Sequence, residues 1–162
     1  MGCGKSKDAK AQAVPSGEPA DWEALLGAEL DTKDGRKPTK ELLAGKKAVM
    51  IYFSAHWCPP CRGFTPVLAK AYTDYTAGDV EVVFVSSDKD EQSFNEYYGS
   101  MPWAALPYNQ RDLKGKVAGR HSITGIPALV VLKPDGTVAC ENGRGEVQRL
   151  GTLDKALTEW GL

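Results

Sequence analysis

Three stretches of the chain are almost continuously apolar. They are Ala48-Val49-Met50-Ile51-Tyr52-Phe53-Ser54, residues 80–87 around Val82-Val83-Phe84-Val85, and Ala128-Leu129-Val130-Val131-Leu132. Short runs of this kind predict strands covered on both faces. Between the first two, Phe64, Val67, Leu68, Ala71 and Tyr75 recur at helical spacing. They predict a helix over residues 59–77, closed by Ala77-Gly78-Asp79. Pro66 lies inside it and should kink it, because its ring clashes with the preceding turn. Strand, helix and strand in this order predict a parallel pair with a right-handed crossover.

The remaining pattern is weaker. Leu25, Leu26, Leu30, Leu42 and Leu43 are scattered around Thr32-Lys33-Asp34-Gly35, a turn signal that predicts a short hairpin. Residues 91–98 read as a short amphipathic helix presenting Phe94, Tyr97 and Tyr98. Met101-Pro102-Trp103 and Leu106-Pro107-Tyr108 read as an aromatic loop, and residues 111–121 as another helix using Leu113 and Val117. Pro134-Asp135-Gly136 should turn the chain so that residues 137–140 return as a hairpin partner. Residues 153–160 close the pattern with Leu153, Leu157 and Trp160 on one face. Residues 1–20, rich in Lys, Ala, Gly, Ser and Pro, are expected to form a flexible tail ahead of one domain over 21–162.

Composition narrows the function. The chain has 162 residues, 42% hydrophobic and 25% charged, as an ordinary single domain does. A net charge of −1 argues against a nucleic-acid binder. No run of about 18 apolar residues predicts a transmembrane helix, and no apolar segment after Met1 suggests a secretory signal. Four cysteines, two of them in one motif, do not make a disulfide framework. They suit a reducing compartment and a working dithiol.

That dithiol is Cys58-Pro59-Pro60-Cys61, placed where the first apolar run meets the predicted helix. A Cys-x-x-Cys at a strand-to-helix junction points to redox chemistry. Cys58 should occupy the helix N-cap, where unpaired N–H groups and the helix dipole favour a thiolate. That should lower its pKa from about 8.5 toward about 7. Pro59 and Pro60 fit the first turn, where a missing N–H costs no helical bond. Trp57 should give a flat apolar shelf beside the sulfur. A zinc site is the alternative, but only Cys3, Cys140, His56 and His121 remain as further ligands, without a second Cys-x-x-Cys. Cys140 reads as a buried apolar residue, and the two histidines as surface or structural.

Cys58-Pro59-Pro60-Cys61-Arg62, Pro66 and Gly125-Ile126-Pro127 together resemble a thioredoxin-fold protein. The stretch from Tyr52 to Arg62, with Ser86-Ser87-Asp88 and Met101-Pro102-Trp103, resembles the tryparedoxin/nucleoredoxin branch. The resemblance implies an α/β thioredoxin-like fold, a mixed central β-sheet flanked by helices. It implies a protein-disulfide reductase in which Cys58 attacks a substrate disulfide and Cys61 resolves the mixed disulfide, the two pairing when oxidised. It places Pro127 in cis opposite the dithiol, leaving the Ile126 backbone free to pair with an extended peptide. Trp57, Ile126, Pro127 and Trp103 are then candidate substrate contacts, with packing over the sheet edge as the other reading of Trp103. Ordinary thioredoxins carry a buried acid where this chain has Tyr52. Tyr52 is either a hydrogen-bond partner in the activation of Cys61 or simply core. Thr124 stands where tryparedoxins tend to carry an acid that meets a polyamine-type thiol, which weighs against trypanothione as donor.

No bound cofactor is expected, because the dithiol carries the electrons, and no Gly-x-Gly-x-x-Gly unit is present. The expected partners are disulfide-containing proteins and an external reductase or small thiol donor, acting on a monomer. The competing class is a redox-gated binding module that uses the same groove without turnover. Met1-Gly2-Cys3-Gly4-Lys5-Ser6 fits an N-myristoylation pattern at Gly2, with Cys3 open to palmitoylation. The expectation is a cytoplasmic protein, anchored to the cytosolic face of a membrane if that end is acylated.

Overall fold

The computed structural model describes residues 18–162. Gly2 and Cys3, the expected acylation sites, lie outside the described residues. Ala20 is already fixed, its N–H donating to the Pro134 carbonyl at 2.9 Å.

Seven strands form one mixed sheet in the order β2-β1-β5-β4-β3-β6-β7. The hairpin signal produces β1 (Glu29–Thr32) and β2 (Gly35–Pro38), paired antiparallel across Thr32 and Gly35. The three apolar runs become β3 (Ala48–Ser54), β4 (Val80–Ser86) and β6 (Ala128–Leu132). β3 and β4 are wholly buried and run parallel, joined by α3 (Pro59–Asp74). β6 pairs antiparallel on the other side of β3, and β7 (Val138–Cys140) follows it after the Pro134–Gly136 turn. Full burial explains why no alternation is visible in these strands: both faces need apolar side chains.

Alternation still sorts the side chains into two layers. Ala48, Met50 and Tyr52 of β3 point into a layer with Phe64 and Leu68 of α3 and Phe94, Tyr97 and Tyr98 of α4 (Glu91–Tyr98). Val147 of α6 (Gly143–Leu150) and Leu153, Leu157 and Trp160 around α7 (Leu153–Glu159) complete it. Val49, Ile51 and Phe53 point the other way. They meet Trp22 and Leu26 of α1 (Trp22–Leu26), Leu43 of α2 (Thr39–Leu43) and Val117 of α5 (Arg111–Arg120).

Four elements are absent from the sequence reading. α1 and α2 have five residues each, too few to show a helical period. α6 carries Gly143 and Gly145 in its first turn, which masks its helical character. A Cβ at Gly143 would stand 2.8 Å from the Leu129 carbonyl oxygen, so glycine lets α6 lie against β6. β5 (Ala104–Ala105) is only two residues long. It pairs parallel with β4 and antiparallel with β1, joining the hairpin to the main sheet.

Two expectations need correction. α3 ends at Asp74 rather than at residue 77, because Tyr75 is extended and its hydroxyl donates to Asp79 at 2.6 Å. Pro66 lies inside α3, as expected. Trp103 lines no groove. It is 1% exposed, with its ring edge-on to Tyr52 at 5.9 Å and Tyr72 at 5.6 Å. Placing it on β5's approach to the sheet turns its ring into the core.

Candidate active site around the Cys58–Cys61 dithiol

β3 delivers the chain to the dithiol and α3 begins on it. Cys58 is the N-cap of α3, with φ −96° and ψ 111°, and no side chain caps the helix there. Its carbonyl accepts the first helical bond, from the Arg62 N–H at 3.1 Å. Pro59 and Pro60 fill the first two helical positions, where their lack of N–H costs nothing.

The approach to Cys58 is tied down on several sides. Asp88 is buried and accepts the His56 N–H at 2.7 Å and the Ser86 hydroxyl at 2.7 Å. Arg62 donates to the His56 carbonyl at 2.7 Å. The Trp57 indole N–H donates to the Ser87 carbonyl at 3.0 Å, and the ring stays 52% exposed. Trp57 is thus an apolar surface held in a fixed orientation beside the sulfur.

Cys58 is more enclosed than its cap position and exposed neighbour lead one to expect. It is 5% exposed and Cys61 is 0% exposed. The two thiols pack with Ala55, and Ile126 covers them. The Cys58 thiol donates to the Ile126 carbonyl at 3.8 Å. The Ile126–Pro127 peptide is cis, as the resemblance implied, and it leads into β6. Trp57, Cys58, Ile126 and Pro127 therefore stand at one place, whereas Trp103 is in the core beneath.

The two sulfurs differ in surroundings. Burial pushes the Cys61 thiol up to about 11, and its hydrogen bond with Cys58 adds to this. Hydrogen bonds with Ser54 and with the Ala55 backbone act in the opposite sense. Tyr52 lies in the core below. Its hydroxyl is 2.6 Å from the Thr65 hydroxyl and 3.5 Å from the Cys61 carbonyl oxygen. Tyr52 is core, 0% exposed, and what it meets of Cys61 is the backbone carbonyl and not the thiol. Burial pushes its phenol well above the usual range. Ser54, Thr65 and Tyr97 complete this hydroxyl group and escaped the sequence reading. A serine ending an otherwise apolar strand and a threonine one helical turn after Cys61 were the available signals.

His121 caps the C-terminal end of α5, and burial followed by the neighbouring Arg120 pushes its imidazole down. Cys140 is buried in β7. Among the described residues no group of three or more His, Cys, Asp or Glu side chains is placed to hold a metal ion. No helix among them is long and apolar enough to cross a membrane.

A family model described as thioredoxin-like matches residues 45–138. Mouse nucleoredoxin is 40% identical over 131 residues, which is 80% of this chain and 30% of that protein. The chain thus spans less than a third of the length of that curated relative. Among solved structures, tryparedoxin from Trypanosoma brucei superposes with a TM-score of 0.70 at 40% identity, covering 75% of this chain and 85% of that one. Tryparedoxin II complexed with glutathionylspermidine gives 0.72 at 32% identity, covering 75% and 85%.

Proposed function

This chain belongs to the thioredoxin-like family of oxidoreductases, and on that premise we propose that it reduces protein disulfides by dithiol exchange. The observation that carries the reading is the placement of Cys58. It ends β3's approach, caps α3, and sits between the exposed Trp57 ring and the Ile126 carbonyl. The Cys58 thiolate attacks one sulfur of the substrate disulfide, and the other sulfur leaves as a thiol. Cys61 then attacks Cys58, expels the remaining substrate thiol and closes the Cys58–Cys61 disulfide. Two electrons pass from the dithiol to the substrate, and an external thiol or reductase restores the dithiol. An extended substrate segment pairs with the Ile126 backbone and rests on Trp57. Acylation at Gly2 and Cys3 belongs to the same proposal; an unmodified mass for protein made in eukaryotic cells would remove it.

The test uses insulin as a protein disulfide and intact mass as readout. Cys61→Ser should accumulate a mixed disulfide at Cys58, and Cys58→Ser should lose turnover altogether. Turnover by Cys58→Ser would overturn the reading. Stoichiometric capture by the unmodified protein, without turnover, would instead support a redox-gated binding module.

A further inference from the structure

Arg62 is an unbalanced cation close to the dithiol. It follows Cys58 by one helical turn, its backbone N–H bonded to the Cys58 carbonyl at 3.1 Å. Its side chain turns back toward the chain entering Cys58, where a guanidinium N–H donates to the His56 carbonyl at 2.7 Å. The rest of the fork has no partner among the described residues, and no carboxylate among them pairs with it. The His56 ring lies nearly flat against Tyr97, with centroids 5.2 Å apart. Its ring nitrogens bond to no side chain among the described residues.

Both residues border one cavity of about 290 Å³ between α3 and α4. Thr65, Pro66 and Ala69 wall it on one side, Tyr97 and Ser100 on the other, and no Asp or Glu lines it. The Thr65 hydroxyl gives its proton to the Cys61 carbonyl at 3.0 Å, and the Ser100 hydroxyl to the Tyr97 carbonyl at 2.7 Å. An anion entering the cavity therefore meets two donors, the Arg62 fork and a His56 ring N–H. A guanidinium fork matches the two oxygens of a carboxylate. Ligand pockets run from about 300 to 1,000 Å³, so this one admits a short carboxylate arm and not a partner segment. Neither Trp57 nor Ile126 lines it, so an occupant leaves the proposed protein-substrate surface open.

We propose that the cavity beside His56 and Arg62 receives the carboxylate arm of the thiol that restores the dithiol, so that the donor is a small carboxylate-bearing peptide thiol. The inference rests on the dithiol reading above and names its donor. The donor's carboxylate is held by Arg62 and His56, one helical turn from Cys58, while its sulfur reaches the Cys58–Cys61 disulfide. The donor thiolate attacks the Cys58 sulfur, the Cys58–Cys61 bond breaks, and Cys61 leaves as a thiolate that takes a proton from solvent. A second donor thiolate attacks the donor sulfur of this mixed disulfide. Cys58 leaves in turn and is protonated, and the two donor molecules depart joined as a disulfide. Two donor thiols are oxidised and release two protons to solvent, and the dithiol gains two electrons and two protons. Arg62 and His56 take no part in the bond changes; they raise the share of encounters in which the donor sulfur faces Cys58.

The test compares two forms of one thiol on the oxidised full chain: glutathione, and glutathione diethyl ester, whose carboxylates are masked. Reduction of the Cys58–Cys61 disulfide is followed by thiol trapping and intact mass. Each rate is divided by the rate of the same thiol with hydroxyethyl disulfide, which removes differences in intrinsic nucleophilicity. Glutathione should be favoured over the ester by about tenfold. Arg62→Gln removes the charge, and Ala69→Leu fills the cavity with Arg62 in place. Both should bring the preference down to about onefold. Comparing two thiols within each variant cancels any general loss of folding or reactivity. No preference in the unmodified protein, or a preference that survives Arg62→Gln, overturns the donor site; with insulin turnover by dithiothreitol intact, the dithiol reading stands. No insulin turnover with either dithiothreitol or glutathione overturns the dithiol reading, and the donor site with it.

Discussion

The two layers that cover the central sheet are built from different side chains. The layer under α1, α2 and α5 is mainly aliphatic: Leu26, Leu30, Leu43, Val49, Ile51, Val83, Val130 and Leu132. The layer under α3 and α4 is aromatic. It gathers Tyr52, Phe64, Phe84, Phe94, Tyr97, Tyr98 and Trp103, with Phe84 stacked on Phe94 at 5.8 Å and edge-on to Tyr97 at 5.5 Å. Aliphatic side chains offer only burial. Tyrosines bring area and a hydroxyl together, so the aromatic layer can bury polar groups that satisfy one another. The sheet thus has one side built mainly from aliphatic burial and one side that also places hydroxyls under Cys61.

Removing rings should expose this difference most strongly. Phe84→Ala deletes the ring that touches four others and should cost about 3–5 kcal/mol in chemical denaturation, with resolution by Cys61 impaired too. Ile51→Val, in the aliphatic layer, should cost about 0.5–1.5 kcal/mol and leave both redox steps unchanged. Equal effects on the redox steps from the two substitutions would break the comparison.

A smaller effect concerns Glu81, buried where Tyr72 donates to it at 3.3 Å and the Ala104 N–H at 3.2 Å. Burial raises its carboxyl above the usual range, against those bonds and the attraction of Lys46. The folded protein therefore keeps this proton to higher pH than the unfolded chain. Its contribution to stability is full below the unfolded value of about 4.3 and falls as pH rises through the raised folded value. Glu81→Gln should flatten the stability profile over that window. Urea denaturation at several pH values checks it, and an unchanged slope would count against a raised Glu81.

Much of this architecture was legible in the chain. β3 and β6 matched their apolar runs because fully buried strands leave an unbroken signal. α4 and the Cys58 cap were equally visible, the first from its aromatic spacing and the second from its two prolines. α1, α2 and β5 were hidden by their length, and α6 by two glycines whose reason is contact with β6. Trp103 was misplaced because a tryptophan between prolines reads the same whether its ring faces a groove or the core. The hydroxyl group was missed for a related reason. Ser54, Thr65 and Tyr97 come from three elements, and only folding brings them within 2.6–2.8 Å.

The central claim is that the two sulfurs of one motif have divided roles, Cys58 reacting and Cys61 waiting behind it. Competitive alkylation of the reduced protein at pH 7, read by peptide mass, tests this most directly. Cys58 should be modified faster than Cys61 by more than about tenfold. Equal rates, or faster modification of Cys61, would contradict the account.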